Sequence, residues 1–371
     1  GNFTGSIDNV SVKEYLGQVP IPNSGCGSWL FEPQSTNLIT YSEDFSQWSE
    51  GNATTISNSA TSPSGLLNAD KVLASSANIA HAIFVIPSVS SSNTYTFSLY
   101  AKADEYERLY IRQGTGSGPT AVVYELTGVG SVLETYGNPQ DTSITNVGNG
   151  WYRITLTNIA SGGNFAPNIM GIPNSGYTAT TAGVSFLGDG TSGIYIWGAQ
   201  LEEQSYATSY IPTSGTSVTR NQDVCDNTNI SNLLGQTEGS FLIEINKSVA
   251  NAEIFSFNRS TSNSFQVFTG STDYRVLGYY EGGYYNIGAS LPFTDSVKIA
   301  VSYKNNEYKL YANGTEIFSS NVFTWTPNAT LGNLYFNKGG YVAGNKKSEI
   351  KALAVYKEAL TDEELTELTT I

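Results

Sequence analysis

The segment Tyr274-Arg-Val-Leu-Gly-Tyr-Tyr-Glu-Gly-Gly-Tyr-Tyr-Asn-Ile-Gly288 is the densest mixture of aromatic, amide, carboxylate and guanidinium side chains in the chain. Such a mixture suits carbohydrate recognition, because an aromatic face stacks on the C–H face of a pyranose while the polar groups bind its hydroxyls. A two-residue turn at Gly282-Gly283 pairs Tyr280 with Tyr285 and Tyr279 with Asn286. Strand alternation then places Tyr274, Val276, Tyr280, Tyr285, Ile287 and Ala289 on one apolar face, and Arg275, Leu277, Tyr279, Glu281, Tyr284 and Asn286 on the other. Arg275, Tyr279, Glu281, Tyr284 and Asn286 are therefore the candidate glycan-binding residues. The competing account is that tyrosine is a good strand residue, amphipathic enough to sit half-exposed anywhere. A secondary set is Arg108, Tyr110 and Arg112, which share a strand face, with Trp151 and Arg153 of similar character on another strand. Cation–π stacking between neighbouring strands accounts for these five equally well.

Catalytic chemistry finds little support. The only histidine, His81, lies inside the apolar run Ile79-Ala-His-Ala-Ile-Phe-Val with no matched Ser or Cys motif, so a hydrogen-bonded strand residue is expected there, not a triad base. One His and two separated Cys do not make a zinc cluster at ligand spacing. Glycoside hydrolysis needs two carboxylates about 5–9 Å apart. Glu202-Glu203, Glu363-Glu364 and Asp104-Glu105 are adjacent pairs, which point to opposite faces in a strand and diverge in a helix, and they read as solvated acidic surface. The chain is expected to be non-enzymatic, with no cofactor. Cys26 and Cys225 flank the first full module; a disulfide joining them and two separate thiols are both open readings.

The elements that must position these residues are strands. At 371 residues, with Gly 37, Tyr 24 and many Ser, Thr and Asn, the chain is long enough for two or three domains of β-sandwich and turn character. A net charge of −14 repels a phosphate backbone, so nucleic acid is not an expected partner. No apolar run of about 18 residues offers a membrane-spanning helix. Residues 1–15 alternate like a closing strand, and Ile196-Trp-Gly-Ala-Gln-Leu-Glu-Glu203 aligns without a gap on Ile7-Asp-Asn-Val-Ser-Val-Lys-Glu14. This stretch is expected to be the last strand of a preceding β-module, followed by a Pro- and Gly-bearing linker at 16–28. Short strand-like runs separated by turn residues fill 29–220, and a second set fills 221–371. Asn313-Gly314 predicts a type I′ hairpin, which needs positive φ at both central residues. At the C-terminus, Thr361 and Glu364 form a capping box and Leu360 and Leu365 a staple, predicting a short helix packed on the sandwich.

The stretch Leu30–Trp48, with Glu32-Pro-Gln-Ser-Thr-Asn-Leu and Tyr41-Ser-Glu-Asp-Phe, resembles the opening of carbohydrate-binding-type jelly rolls common in phage fibre and head-spike proteins. Gly148-Asn-Gly-Trp-Tyr-Arg153 and the segment from Trp197 to Thr213 resemble them too. From about Gly239 to Leu365 the chain resembles a laminin-G or concanavalin A-like lectin domain. The expected fold is all-β: two antiparallel β-sandwiches, a jelly roll and then a concanavalin A-like sandwich, preceded by the last strand of a truncated β-module and ending in a short helix. The resemblance implies a non-catalytic glycan- or receptor-binding adhesion module of a phage fibre or spike, on the virion surface. Its partners would be a cell-surface glycan or polysaccharide and other fibre or capsid subunits, in a homotrimer by analogy. The alternatives are an accessory carbohydrate-binding module of a secreted bacterial polysaccharide-degrading enzyme, on a secreted or bacterial-surface protein, and a structural virion decoration. Both resembled families often hold a structural calcium, for which Asp189 is a candidate donor, but the residues do not call for one.

Overall fold

In the computed structural model, residues 22–23, 27–114, 118–160, 165–174, 184–258, 264–280, 283–286, 291–292, 296–321, 330–338 and 346–371 are described. The expected closing strand at 1–15 lies outside them. The described chain is all-β apart from one short helical turn, Phe45–Gln47, and one C-terminal helix, and every sheet pairing is antiparallel. It divides into a middle unit, Ser35–Arg220, and a flanking unit made of the described residues up to Gln34 together with Asn221–Ile371.

The middle unit holds two six-stranded sheets. One runs in the order Asp141–Gly148, Trp151–Ile159, Thr94–Ala103, Gly193–Glu202, Leu67–Ala74, Ala53–Thr61; the other runs Ser131–Tyr136, Thr120–Glu125, Arg108–Gln113, Pro167–Ile172, Ala82–Phe84, Ser49–Gly51. Alternating apolar residues pack the space between them, among them Phe97 and Leu99, Ile154 and Leu156, Leu109 and Ile111, and Val122 and Tyr124. Ser35–Asn37 pairs with Val218–Arg220, so the two ends of the unit lie side by side.

The flanking unit has a front sheet in the order Cys225–Asn227, Leu334–Phe336, Glu253–Phe257, Ser264–Thr269, Asp273–Tyr280, Gly283–Asn286, with Leu291–Pro292 also pairing to Asp273–Tyr280. Its back sheet runs Pro22–Asn23, Ser28–Phe31, Ser348–Tyr356, Gly239–Ser248, Val297–Lys304, Glu307–Ala312, Thr315–Ser320. Phe241 meets Phe255, Phe257 and Phe265 at centroid distances of 5.4–5.6 Å in the core between them.

One boundary differs from the sequence reading. Ser28–Phe31 was expected to end a linker and open the first module, but it pairs with Ser348–Tyr356 and stacks Phe31 on Phe336 at 5.3 Å. An apolar strand at that edge completes the second core, and local pattern does not reveal which sheet a strand will join.

The hairpin at Asn313-Gly314 forms with φ of 48° and 77°, as the I′ turn requires. The helix Asp362–Thr369 has the capping box at Thr361 and Glu364, and Leu365 packs with Leu242, Ala300 and Tyr311 on the back sheet, with Leu360 alongside. The helix thus lies against the back sheet, on the face away from the core.

Candidate functional site

The strand Asp273–Tyr280 buries Tyr274 and Val276 in the core, so Arg275 and Leu277 belong to the opposite face of the front sheet. Tyr279 pairs with Tyr284 and Leu277 with Asn286. Directly paired residues share a face, so Arg275, Tyr279, Tyr284 and Asn286 hold positions on that side. The pairing is displaced from the expected one: Tyr280 meets Gly283, not Tyr285. A displacement of two in the summed register keeps every residue on its face, because the side-chain period is two. Candidate Glu281 lies outside the described residues.

Arg275 is held in place, its Nε donating to both oxygens of Asp273 at 3.1 and 3.0 Å. The sheet adds residues that sequence reasoning missed. Asp226, Tyr335, Ser256, Gln266, Leu277 and Asn286 pair one to the next across six strands and form a single row on this face. At one end Lys338 lies 4.1 Å from the Tyr335 ring centroid and 3.1 Å from Asp226. In mid-row, Gln266 is fully buried and neither atom of its amide group has a hydrogen-bond partner. Its place between core residues Phe265 and Val267 signalled its face; its neighbours across the sheet were not legible.

The secondary candidates fall on two different sheets and do not form one site. Arg108, Tyr110 and Arg112 share the face of Arg108–Gln113 opposite Leu109 and Ile111. Arg108 pairs with Glu125 at 3.3 Å, and burial raises the Tyr110 hydroxyl to about 12 against the opposing pull of Arg112. Trp151 is 2% exposed and donates its Nε1 to the Thr61 carbonyl. Arg153 lies 5.5 Å over Tyr100, its direct cross-strand partner, and donates to the Thr208 carbonyl. Trp151 and Arg153 are thus engaged within the middle unit.

The remaining chemical groups are structural in geometry. His81 sits at the break between Asn78–Ala80 and Ala82–Phe84, its Nδ1 2.6 Å from the Asn52 carbonyl and its Nε2 3.1 Å from that of Phe186. Glu202 departs from the expected solvated pair: it is fully buried and accepts hydrogen bonds from Ser35, Gln200 and Thr208. Four donors offset the cost of taking the carboxylate out of water. Asp104 and Glu105 both contact Lys71. Burial pushes the Asp104 carboxyl up, but bonds from Lys71 and Tyr195 outweigh it and leave the pKa below the usual range. Asp189 is engaged by the backbone and hydroxyl groups of Thr191 and Ser192. No group of three or more His, Cys, Asp or Glu side chains able to hold a metal ion occurs among the described residues. Cys225 carries a free thiol and packs beside the second core, where burial raises its pKa; Cys26, with which a disulfide is an open reading, lies outside the described residues. No helix among the described residues is long and apolar enough to cross a membrane.

Residues 235–366, within the flanking unit, match the laminin-G family model described as the concanavalin A-like lectin/glucanases superfamily. A search of curated proteins gives no match. Among solved structures, the chain is similar to the Ruminococcus gnavus IT-sialidase CBM40 bound to α2,3-sialyllactose, at 19% identity over 36% of this chain and 84% of that one, with a TM-score of 0.31. It is similar to domain 4 of an extracellular GH43 arabinanase from Geobacillus stearothermophilus in complex with arabinotriose, at 19% identity over 37% and 69%, TM-score 0.31. It is also similar to a botulinum neurotoxin type C structure whose cell entry depends on two ganglioside molecules, at 18% identity over 40% of each chain, TM-score 0.33.

Proposed function

We propose that the chain is a non-catalytic glycan-binding module whose binding face is the side of the front sheet turned away from the core. The observation that carries this reading is the register that gives Arg275, Tyr279, Tyr284 and Asn286 positions on one face, across from core residues Tyr274 and Val276. The lectin-type match over 235–366 supports it. The helix packs on the back sheet, and the aromatic, amide and charged positions of this unit that share one face lie on the front sheet. Affinity for a single sugar is modest on such a surface, so copies in an array raise the effective concentration.

The setting we propose is an accessory module of a larger glycan-processing protein. The other settings are a virion fibre or spike and a structural decoration. A catalytic domain in the same open reading frame supports it; neighbouring tail or capsid genes favour the virion.

The test is binding of the full chain to a glycan array that includes α2,3-sialyllactose and arabinotriose, beside the double variant Tyr279→Ala/Tyr284→Ala. Saturable wild-type binding, weakened at least about tenfold in the variant, is expected from the loss of two stacking rings, each tenfold being 1.4 kcal/mol. Undiminished binding by the variant moves the site off this face, and silence of both proteins overturns the glycan reading.

A further inference from the structure

Gln266 stands at the middle of the row that crosses the front sheet, between Ser256 and Leu277. Neither neighbour satisfies it: Ser256 directs its hydroxyl to Glu253 at 3.3 Å, and Leu277 packs against Phe268. A fully buried amide with no partner at either atom is costly, and natural chains hold few of them. Leucine or methionine fills nearly the same volume without polar atoms, so packing alone gives no reason for glutamine here. Groups kept at a cost in stability are found where function needs them.

The primary amide places one acceptor carbonyl and two N–H donors at a single point. The chemistry that answers both is a pair of adjacent hydroxyls, one donating and one accepting, as on a sugar ring. On the same face, Tyr335 lies two strands away on one side, and Tyr279 and Tyr284 occupy positions on the next two strands on the other. We propose that Gln266 is the specificity-determining polar contact of the glycan site and binds a vicinal diol of one sugar ring through its amide. The proposal rests on the reading of this face as the glycan-binding face. In the free chain the side chain is fully buried, so the contact forms only as the amide becomes accessible on binding, and association is slower than into a preformed groove.

The experiment compares the full-length wild type with Gln266→Met and Gln266→Glu on the same glycan array, with thermal melting of each. Gln266→Met is expected to melt at or above the wild-type temperature and to lose at least tenfold in affinity. Gln266→Glu, which keeps acceptors and loses donors, also binds more weakly. Should either variant fail to fold, the wild type is titrated with mono-deoxy derivatives of its best array glycan. Loss confined to two adjacent hydroxyls supports the diol contact, and equal binding of all derivatives overturns it. Wild-type binding that Gln266→Met leaves intact overturns this inference and spares the binding face, whereas a wild type silent on the array overturns both.

Discussion

Glu202 shows how a single side chain can reverse its reading between sequence and structure. Beside Glu203 it looks like half of an exposed acidic pair, yet it accepts from Ser35 Oγ at 2.6 Å, Gln200 Nε2 at 2.6 Å, Thr208 N at 2.9 Å and the Thr208 hydroxyl. Glu203 accepts from Asn93 and Tyr95. Replacing Glu202 by Ala strands several buried donors, each costing about 1–3 kcal/mol, so a loss of about 3 kcal/mol or more is expected for the middle unit. Denaturant unfolding of the full chain followed at Trp151 or Trp197 measures it. A loss below about 0.5 kcal/mol would show that the network does not hold the outgoing chain in place. Nothing in the local sequence marks Glu202 as buried: Gln200 and Thr208 are near in the chain, but Ser35, which closes the network, comes from the far end of the unit.

At the scale of elements, the C-terminal helix was the most legible feature, since its cap, capping box and staple are all local. What ties it to the back sheet is tertiary: Lys309 reaches Asp362 at 2.6 Å, and Leu365 is fully buried. The Lys309 hydrogen bond holds the Asp362 carboxyl below the usual range, against a smaller opposing effect of burial and with added help from Tyr311. For a carboxyl whose folded pKa is depressed, the stabilisation is complete above the unfolded value near 3.8 and disappears as pH falls through the lower folded value. Protection of the Asp362–Thr369 amides, taken relative to the intrinsic exchange rate at each pH, is therefore expected to fall below about pH 4, and Asp362→Asn to flatten that dependence. An unchanged acid response in the variant would assign the effect to other carboxylates.

The whole molecule is two units, one threaded into the chain of the other. Ser35 pairs directly with Arg220, so the middle unit begins and ends at one place, as a unit that can be excised does. Ser35–Arg220 expressed alone is expected to fold, by circular dichroism and thermal melting, at a temperature within a few degrees of its transition in the full chain. The fragment 221–371 is the complementary test. It lacks Ser28–Phe31, which exposes the edge of Ser348–Tyr356 and removes the Phe31–Phe336 stack. It is expected to aggregate or melt lower than the same fragment with residues 27–34 joined to its N-terminus by a short Gly linker. Equal behaviour of the two would show that the edge strand is dispensable.

Strand content, the I′ hairpin at Asn313-Gly314, the capped helix and the sorting of Arg275 and Tyr279 away from Tyr274 and Val276 were all determined by the sequence itself. Each depends on periodicity or φ preference within a few residues, and a register displaced by two leaves a two-residue period intact. Tertiary structure alone decided that Ser28–Phe31 closes the second sandwich, that Glu202 is buried, and that Gln266 stands in line with Tyr335, Ser256, Leu277 and Asn286. Those outcomes rest on pairings between segments far apart in the chain, where the energy comes from which surfaces meet, and no local pattern records the partner.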